Sequence, residues 1–388
     1  MRSLRPGRAE YRLKAYGEMI ADRVRMGAYR EAMARSIKPG DVVLDLGAGT
    51  GIMSLLACQL GARKVHAVEP SDVLAVAHEL AQANGCTDRI EFHERSSLEV
   101  TLAQPADVMV SDLRGALPLH GNHLPSIVDA RKRLLRPGGV QIPQRDTLVA
   151  QLIAGAALHE ESLAVWKDRS LGLDLSAALR WATNNARKAD LATATMLGAP
   201  RSIIELDYRT LTSPDARGEV AWAIDDDATA HGIGVWFDTE LVDGVGFSNA
   251  PDRPRAIYGQ MFFPFTQPLV LQRGDRVAVA VAATRVGPEY VWQWNTTVTH
   301  AGGNPGLVLR QSTFQGAPMN PARLGRRAAN HVPQATAETH AAARALALIE
   351  QGLPVEDIAA RLTAEFPVEF EARSAHEFVG ELCDWLAD

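Results

Sequence analysis

Residues 42–51 read VVLDLGAGTG, an apolar run carrying one acid, Asp45, that empties into a loop with glycines at 47, 49 and 51. Apolar residues then resume at helical spacing in IMSLLACQLGA (52–62). A short continuous apolar run is the pattern of a buried parallel strand, and glycines at its end permit a tight turn and close approach of a ligand to backbone N–H groups. The next apolar run, VHAVEPS (65–71), ends on Glu69. That acid lies about 20 residues on, where such folds set a carboxylate against a ribose hydroxyl pair. The stretch therefore predicts a nucleoside-binding unit. Asp45 narrows the nucleoside: it would repel a pyrophosphate but not a sulfonium cofactor bearing an ammonium group, which favours S-adenosylmethionine over NAD. The predicted cofactor set on these grounds is Asp45, Gly47, Gly49, Gly51 and Glu69, completed by Pro70 and Ser97.

Working outward, a helix is predicted over residues 8–38, ended by Pro39 and Gly40. Downstream come a helix through Leu60, a strand at 65–68, a helix at 71–84, strands at 90–93 and 106–111, a helix around 125–135 and a turn at 136–139. Strands alternating with helices of this length predict an α/β domain with a doubly wound, Rossmann-like parallel sheet over residues 1–145. Beyond it, strand-like runs recur without long helices, at 147–153, 202–206, 218–224, 233–237, 267–271, 277–281 and 290–295. They predict a β-barrel over 146–315, interrupted by a helical arm at about 157–197 that carries Trp166, Leu171, Leu173, Leu175, Leu179 and Trp181. An exposed apolar face on that arm would mark a dimer contact. Residues 316–337, with Arg323, Arg326 and Arg327, read as a linker. A small helical unit follows over 338–388, with helices at 341–351, from Pro354, and from Ser374, where Ser374 to Glu377 has capping-box spacing. The last carries Phe378, Leu382, Trp385 and Leu386 on one side.

Composition excludes several function classes. The 388 residues carry 40 basic and 46 acidic side chains, a formal net charge of −6, so no global basic field favours nucleic acid. The three cysteines, Cys58, Cys86 and Cys383, are scattered without ligand spacing, so neither a disulfide framework nor a metal site is indicated. The basic N-terminus lacks the apolar core of a signal peptide, and no run reaches the roughly 18 apolar residues of a membrane span. A soluble, cytoplasmic protein is expected.

Several motifs together resemble the protein arginine methyltransferases, over residues of about 11 to 300. DRVRMGAY (22–29) is similar to that family's D-x-V-R-T-x-x-Y segment, and SDLRG (111–115) stands at the place of its S-E-W-M-G. LGLDLS (171–176) resembles its Y-G-F-D-M-S stretch, and GFSNAPDRPRAIYGQ (246–260) its G-F-S-T-x-P-x-x-P-x-T-H-W-x-Q. The resemblance implies a methyltransferase with S-adenosylmethionine as cofactor, a peptide or protein substrate and a head-to-tail homodimer. It implies that Arg25 pairs with the cofactor carboxylate, a task that suits a guanidinium fork.

The acceptor side departs from the family. Its two-glutamate loop clamps a guanidinium, but the first glutamate corresponds to Asp112 and the second falls on Gly121. The threonine-histidine-tryptophan element falls on Ala256, Ile257 and Tyr258, and a further histidine corresponds to Tyr16. A guanidinium left unpaired here would lose charge-assisted bonds worth roughly 1.5–3 kcal/mol each. An acceptor other than arginine is therefore expected, with Tyr16 and Tyr258 facing it and Asp112, His120 and His123 as catalytic candidates. Histidines on this loop could take a proton from a hydroxyl, amide or imidazole nucleophile. Two alternatives stay open: a true arginine N-methyltransferase with a rebuilt clamp, and a catalytically silent scaffold that binds S-adenosylmethionine and a peptide. The C-terminal helices also resemble, weakly, the helical half of precursor-peptide recognition domains, which would make the substrate a ribosomally made peptide.

Overall fold

The computed structural model describes residues 13–386 apart from 321, 323, 324, 327 and 328, with only the backbone of 372, 373 and 385. Arg323, Arg327 and the start of the first predicted helix thus lie outside the described residues. The chain divides into two compact units, one up to residue 318 and a C-terminal one from 319.

The predicted first helix is two, α1 (Leu13–Ala21) and α2 (Arg23–Ser36). Asp22 separates them because its carboxylate accepts the N–H of Arg25 (3.0 Å) and caps α2. Strand β1 (Val42–Leu46) is buried throughout and leads through the glycines into α3 (Ile52–Gln59). Then follow β2 (Lys64–Val68), α4 (Leu74–Ala83), β3 (Ile90–His93), β4 (Ala106–Ser111), α5 (His123–Arg133) and β5 (Leu135–Ile142). The predicted turn at 136–139 is absorbed into β5, where the ladder to β4 shifts register. Among the described residues the sheet is parallel in the order β3-β2-β1-β4-β5. The order reverses between β1 and β4, and ligands of such sheets sit beyond the strand ends at that reversal. Register pairs Leu46 with both Val68 and Ser111. The next residues, Gly47, Glu69 and Asp112, therefore leave the sheet at one level.

The second half is antiparallel. Strand β6 (Arg145–Ala154) is followed by the helical arm, α6 (Ala156–Lys167) and α7 (Leu179–Ala182). The arm is shorter than predicted, because residues from 187 onward return to strand: β7 (Arg187–Ala189), β8 (Thr195–Asp207), β9 (Ala216–Ala223), β10 (Ala228–Val242), β11 (Val245–Ser248), β12 (Gln260–Leu271), β13 (Arg276–Val286), β14 (Glu289–Thr299) and β15 (Pro305–Ser312). One sheet runs β7-β12-β10-β6-β8 with β11 on β10, the other β15-β14-β13-β9, and together they make a barrel-like body. Leu148, Phe237 and Phe263 from the first sheet and Val279, Val281 and Trp294 from the second share one apolar core. That core also takes Leu44, Leu46 and Met109, so the barrel and the parallel sheet are packed on common residues.

The C-terminal unit holds α8 (Ala337–Ile349), α9 (Val355–Glu365) and α10 (Ala372–Leu386) around Leu348, Ile358, Leu362, Phe378 and Leu382. Ser374 is not the cap of the last helix: it lies within it, and its hydroxyl donates to the Glu371 carbonyl (2.8 Å).

Candidate active site

The glycine loop opens the site. Gly47, Gly49 and Gly51 take φ of 78°, 53° and 77°, a left-handed conformation that side chains resist. A Cβ on Gly47 would stand 2.2 Å from the Leu113 side chain, and one on Gly49 would stand 2.8 Å from the Tyr16 ring. The loop is thus a cradle whose floor is bare backbone and whose cover is two movable side chains. Half-buried Glu69 lies against it, accepting from Gly49 N–H (3.1 Å), Ser71 N–H (3.1 Å) and the Ser71 hydroxyl (2.7 Å). An acid at the end of β2 beside left-handed glycines fits the ribose and adenosine of a nucleoside cofactor. Pro70 is exposed beside it and Ser97 is buried in a short turn past β3.

Asp45 departs from the prediction. It is 2% exposed and accepts the Ser54 hydroxyl of α3 at 2.6 Å. Burial pushes its carboxyl up to about 6, against the opposing hydrogen bonds from Ser54. Its position ties the strand to the helix across the loop and offers no surface to an ammonium group.

The acceptor side is a buried chain of charges. Arg25 donates from Nε to Asp112 Oδ2 (2.5 Å), and Tyr258 donates its hydroxyl to the same oxygen (2.6 Å). Arg114 donates to Asp112 Oδ1 (3.1 Å), to the Tyr29 hydroxyl (2.8 Å), to Thr239 (2.7 Å) and, through two bonds of 2.6 and 3.0 Å, to Asp146. Asp146 is fully buried and also accepts the Tyr208 hydroxyl (2.5 Å), which in turn lies 3.1 Å from His123 Nε2. Burial favours a neutral Asp112, but the charges of Arg25 and Arg114 outweigh it and hold the carboxyl below its ordinary value. Burial and the neighbouring Asp112 raise Tyr258 well above the ordinary phenol, so it stays a donor.

The packing explains how these groups are held. Tyr258 stacks on Phe247 of β11 (ring centroids 5.9 Å apart, 7° between planes) and meets Phe237 of β10 edge-on. Asp22, besides capping α2, accepts Ile257 N–H (2.8 Å), so one carboxylate fixes both Arg25 and the segment that carries Tyr258. Gly121, at the place of the absent second acid, is left-handed (φ 49°) with open space where a Cβ would stand.

The two histidines part company. His120 is exposed and packs over Gly115, whereas His123 starts α5 and is 1% exposed. Burial, reinforced by the charge of Arg114, lowers His123 to about 3, so it is neutral and committed to Tyr208. The expectation that His123 faces the acceptor is corrected accordingly. The groups missed by the sequence are Arg114, Asp146 and Tyr208. The one local signal was an arginine two residues past Asp112 at a strand end.

Both halves of this part of the chain are similar to known proteins. Residues 30–142 match the family model for ribosomal protein L11 methyltransferase (PrmA), and residues 144–289 match the arginine methyltransferase oligomerization subdomain. The chain is 33% identical over 235 residues to the probable protein arginine N-methyltransferase 6 of Arabidopsis thaliana, a match covering 58% of this chain and 53% of that protein, about half its length. It is 31% identical over 303 residues to protein arginine N-methyltransferase PRMT10 of Oryza sativa subsp. japonica, covering 69% of this chain and 80% of that protein. Among solved structures, Arabidopsis thaliana protein arginine methyltransferase 10 superposes with a TM-score of 0.69 at 24% identity, covering 78% of this chain and 97% of that one. The Trypanosoma brucei PRMT1 enzyme-prozyme complex with AdoHcy superposes with a TM-score of 0.71 at 24% identity, covering 76% and 96%.

Proposed function

This chain belongs to the protein arginine N-methyltransferase family, and from that premise we propose that it uses S-adenosylmethionine to methylate a peptide or protein side chain other than arginine. Gly47, Gly49 and Gly51 admit the cofactor, Glu69 holds its ribose, Pro70 and Ser97 border its base, and Arg25 meets its carboxylate. When bound, the cofactor supplies an electrophilic methyl group on a sulfonium. The chain's own residues then orient the nucleophile, and His120, on the loop surface, takes its proton.

The observation that carries the reading is the occupancy of Asp112. Both of its oxygens already accept from Arg25, Tyr258 and Arg114. Arg25, Asp112, Arg114 and Asp146 form two cations and two anions, so the buried group is neutral as it stands. An acceptor guanidinium would add an uncompensated cation, with Gly121 offering no second carboxylate, and buried unpaired charge is strongly unfavourable. A neutral hydroxyl, amide or imidazole meets no such opposition. Tyr16 and Tyr258 border its path.

The rival reading, arginine methylation through a rebuilt clamp, is favoured by the names of the relatives. Incubating the protein with S-adenosylmethionine and two peptide sets, one rich in arginine and one without it, separates the two. Mass spectrometry then locates increments of roughly 14 Da, one CH₂. Methyl on arginine that disappears in Asp112→Ala would sink the proposal, and cofactor bound without turnover on any peptide would favour the silent scaffold instead.

The same reading includes a homodimer through the arm, supported by Leu171 and Leu173, which stand 78% and 57% exposed. Light scattering that returns a monomer at micromolar concentration would remove that part. The C-terminal unit, which has a core of its own, is read as a second contact for the peptide, a precursor made on the ribosome. Co-expression with such a peptide, followed by the same mass measurement, tests it.

A further inference from the structure

The parallel sheet carries a second cluster of chemistry at its outer edge. Register pairs His66 of β2 with Glu91 of β3 and Val68 with His93, so His66, Glu91 and His93 project from one face of the sheet. Among the described residues strand β3 is the terminal strand, so the cluster lies at the edge of the sheet. His66 Nδ1 lies 3.1 Å from His93 Nε2. The two Glu91 oxygens lie 3.6 Å from His66 Nδ1 and 3.6 Å from His93 Nε2 respectively. The imidazoles are largely buried, with side chains 9% and 14% exposed, whereas the carboxylate is 48% exposed.

These spacings suit a metal. Zinc-like ions bind imidazole nitrogen at roughly 2.0–2.1 Å and carboxylate oxygen at about 2.0–2.2 Å, which sets tetrahedral donor–donor edges near 3.3–3.4 Å. The imidazole–imidazole edge of 3.1 Å is close to such a face, each Glu91 oxygen lies 3.6 Å from one imidazole, and the three donor groups fall within 4.8 Å, so a turn of the half-exposed Glu91 side chain would complete the face with the backbone already in register. Two imidazoles with one carboxylate suit zinc, cobalt, nickel or copper rather than magnesium or calcium. Against the metal stands Lys64, whose ammonium lies 3.0 Å from Glu91 Oε2 and competes for the carboxylate. The alternative use of the cluster is a hydrogen bond between the two imidazoles.

We propose that His66, Glu91 and His93 bind one divalent transition-metal ion, leaving a coordination position open to solvent. The site is separate from the methyl-transfer cleft, yet the His93 carbonyl accepts the N–H of Glu69 (3.1 Å), so a metal would steady the strand end behind the cofactor acid. Cobalt(II) chloride titrated into tag-free, full-length protein tests this by calorimetry and by visible absorption. One equivalent is expected to bind with the intense absorption of a tetrahedral or five-coordinate cobalt site. Affinity should fall by at least about tenfold in His93→Ala and in Glu91→Gln. The second variant alters only a half-exposed side chain, so it guards against a folding defect in the first. Lys64→Gln should bind cobalt more tightly than the unaltered chain. No binding at millimolar cobalt, or binding that none of the three variants changes, would overturn the proposal.

Discussion

Replacing Arg114 by methionine is the sharpest probe of the buried charge chain. The guanidinium makes five hydrogen bonds, two of them to fully buried Asp146 and one to Asp112. Methionine keeps much of the side-chain length, so the change removes charge and donors more than volume. Opposite charges about 4 Å apart attract by about 4 kcal/mol at an effective dielectric of about 20, and desolvation has already offset part of that. Removing one member of such a pair leaves the other buried and unpaired, at a cost of about 3–5 kcal/mol. For a domain of this size each kcal/mol lowers Tm by about 2 °C, so scanning calorimetry should show a drop of roughly 6–10 °C. The double variant Arg114→Met/Asp146→Leu removes both charges, and should recover about 2–3 kcal/mol relative to the sum of the single changes. A single-variant shift below about 2 °C, or strict additivity in the cycle, would refute the reasoning, because Arg114 would then be neither buried nor coupled to Asp146.

Three further outcomes are expected. Glu69→Ala should weaken S-adenosylmethionine binding by about 1.5–3 kcal/mol by calorimetry, roughly one to two powers of ten, since it removes a charged acceptor. His120→Ala should lower single-turnover methyl transfer by a factor of about 100 or more while leaving cofactor affinity unchanged, the loss characteristic of a missing general base. Asp45→Asn tests the buried carboxyl whose value stands at about 6, above its unfolded value. A carboxyl raised in the folded state contributes stability below its unfolded value and loses it as pH rises through about 6, so the asparagine variant should gain on the unaltered protein as pH rises. The gain in thermal melts should set in near pH 4, reach about 3 kcal/mol at pH 7.5 and be absent below about pH 3.

What the sequence made legible was local. The apolar run 42–46, the glycines at 47, 49 and 51 and the acid at 69 span one strand, one loop, one helix and the next strand, and each is fixed by neighbours a few residues away. Asp22 carried the right residue type for a cap, but apolar periodicity continued across it and hid the break between α1 and α2. The long strand β10 was read only in part because glycines and charged residues interrupt its alternation, and its pairing with both β6 and β12 supplies what the pattern lacks. His123 was misjudged for a related reason. A histidine beside a catalytic loop suggests a base, but only the fold reveals that α5 begins at that residue and turns the ring toward Tyr208. The histidine–glutamate cluster was invisible for want of spacing: His66 and Glu91 are neighbours only through parallel pairing.

The acceptor question turns on the same limit. Arg114 reaches Tyr29, Asp146 and Thr239, partners up to 125 positions away, and no local pattern announces them. Comparing motifs alone, Asp112 looks like a shortened glutamate awaiting its substrate. In the fold it is an anion already shared by two arginines, with a tyrosine kept protonated on the same oxygen. A substrate guanidinium would compete with those donors for the carboxylate, and each is itself anchored: Arg25 by the Met19 carbonyl, Arg114 by Asp146, Tyr258 by its stack on Phe247. Displacing any of them would unpair a buried polar group, so on the proposed reading Arg114 beside Asp112 opposes a cationic acceptor more than the missing second carboxylate at Gly121 does. Restoring a carboxylate by Gly121→Glu alone should therefore not confer arginine methylation; appearance of methylarginine in that single variant would show that Arg114 is not the barrier.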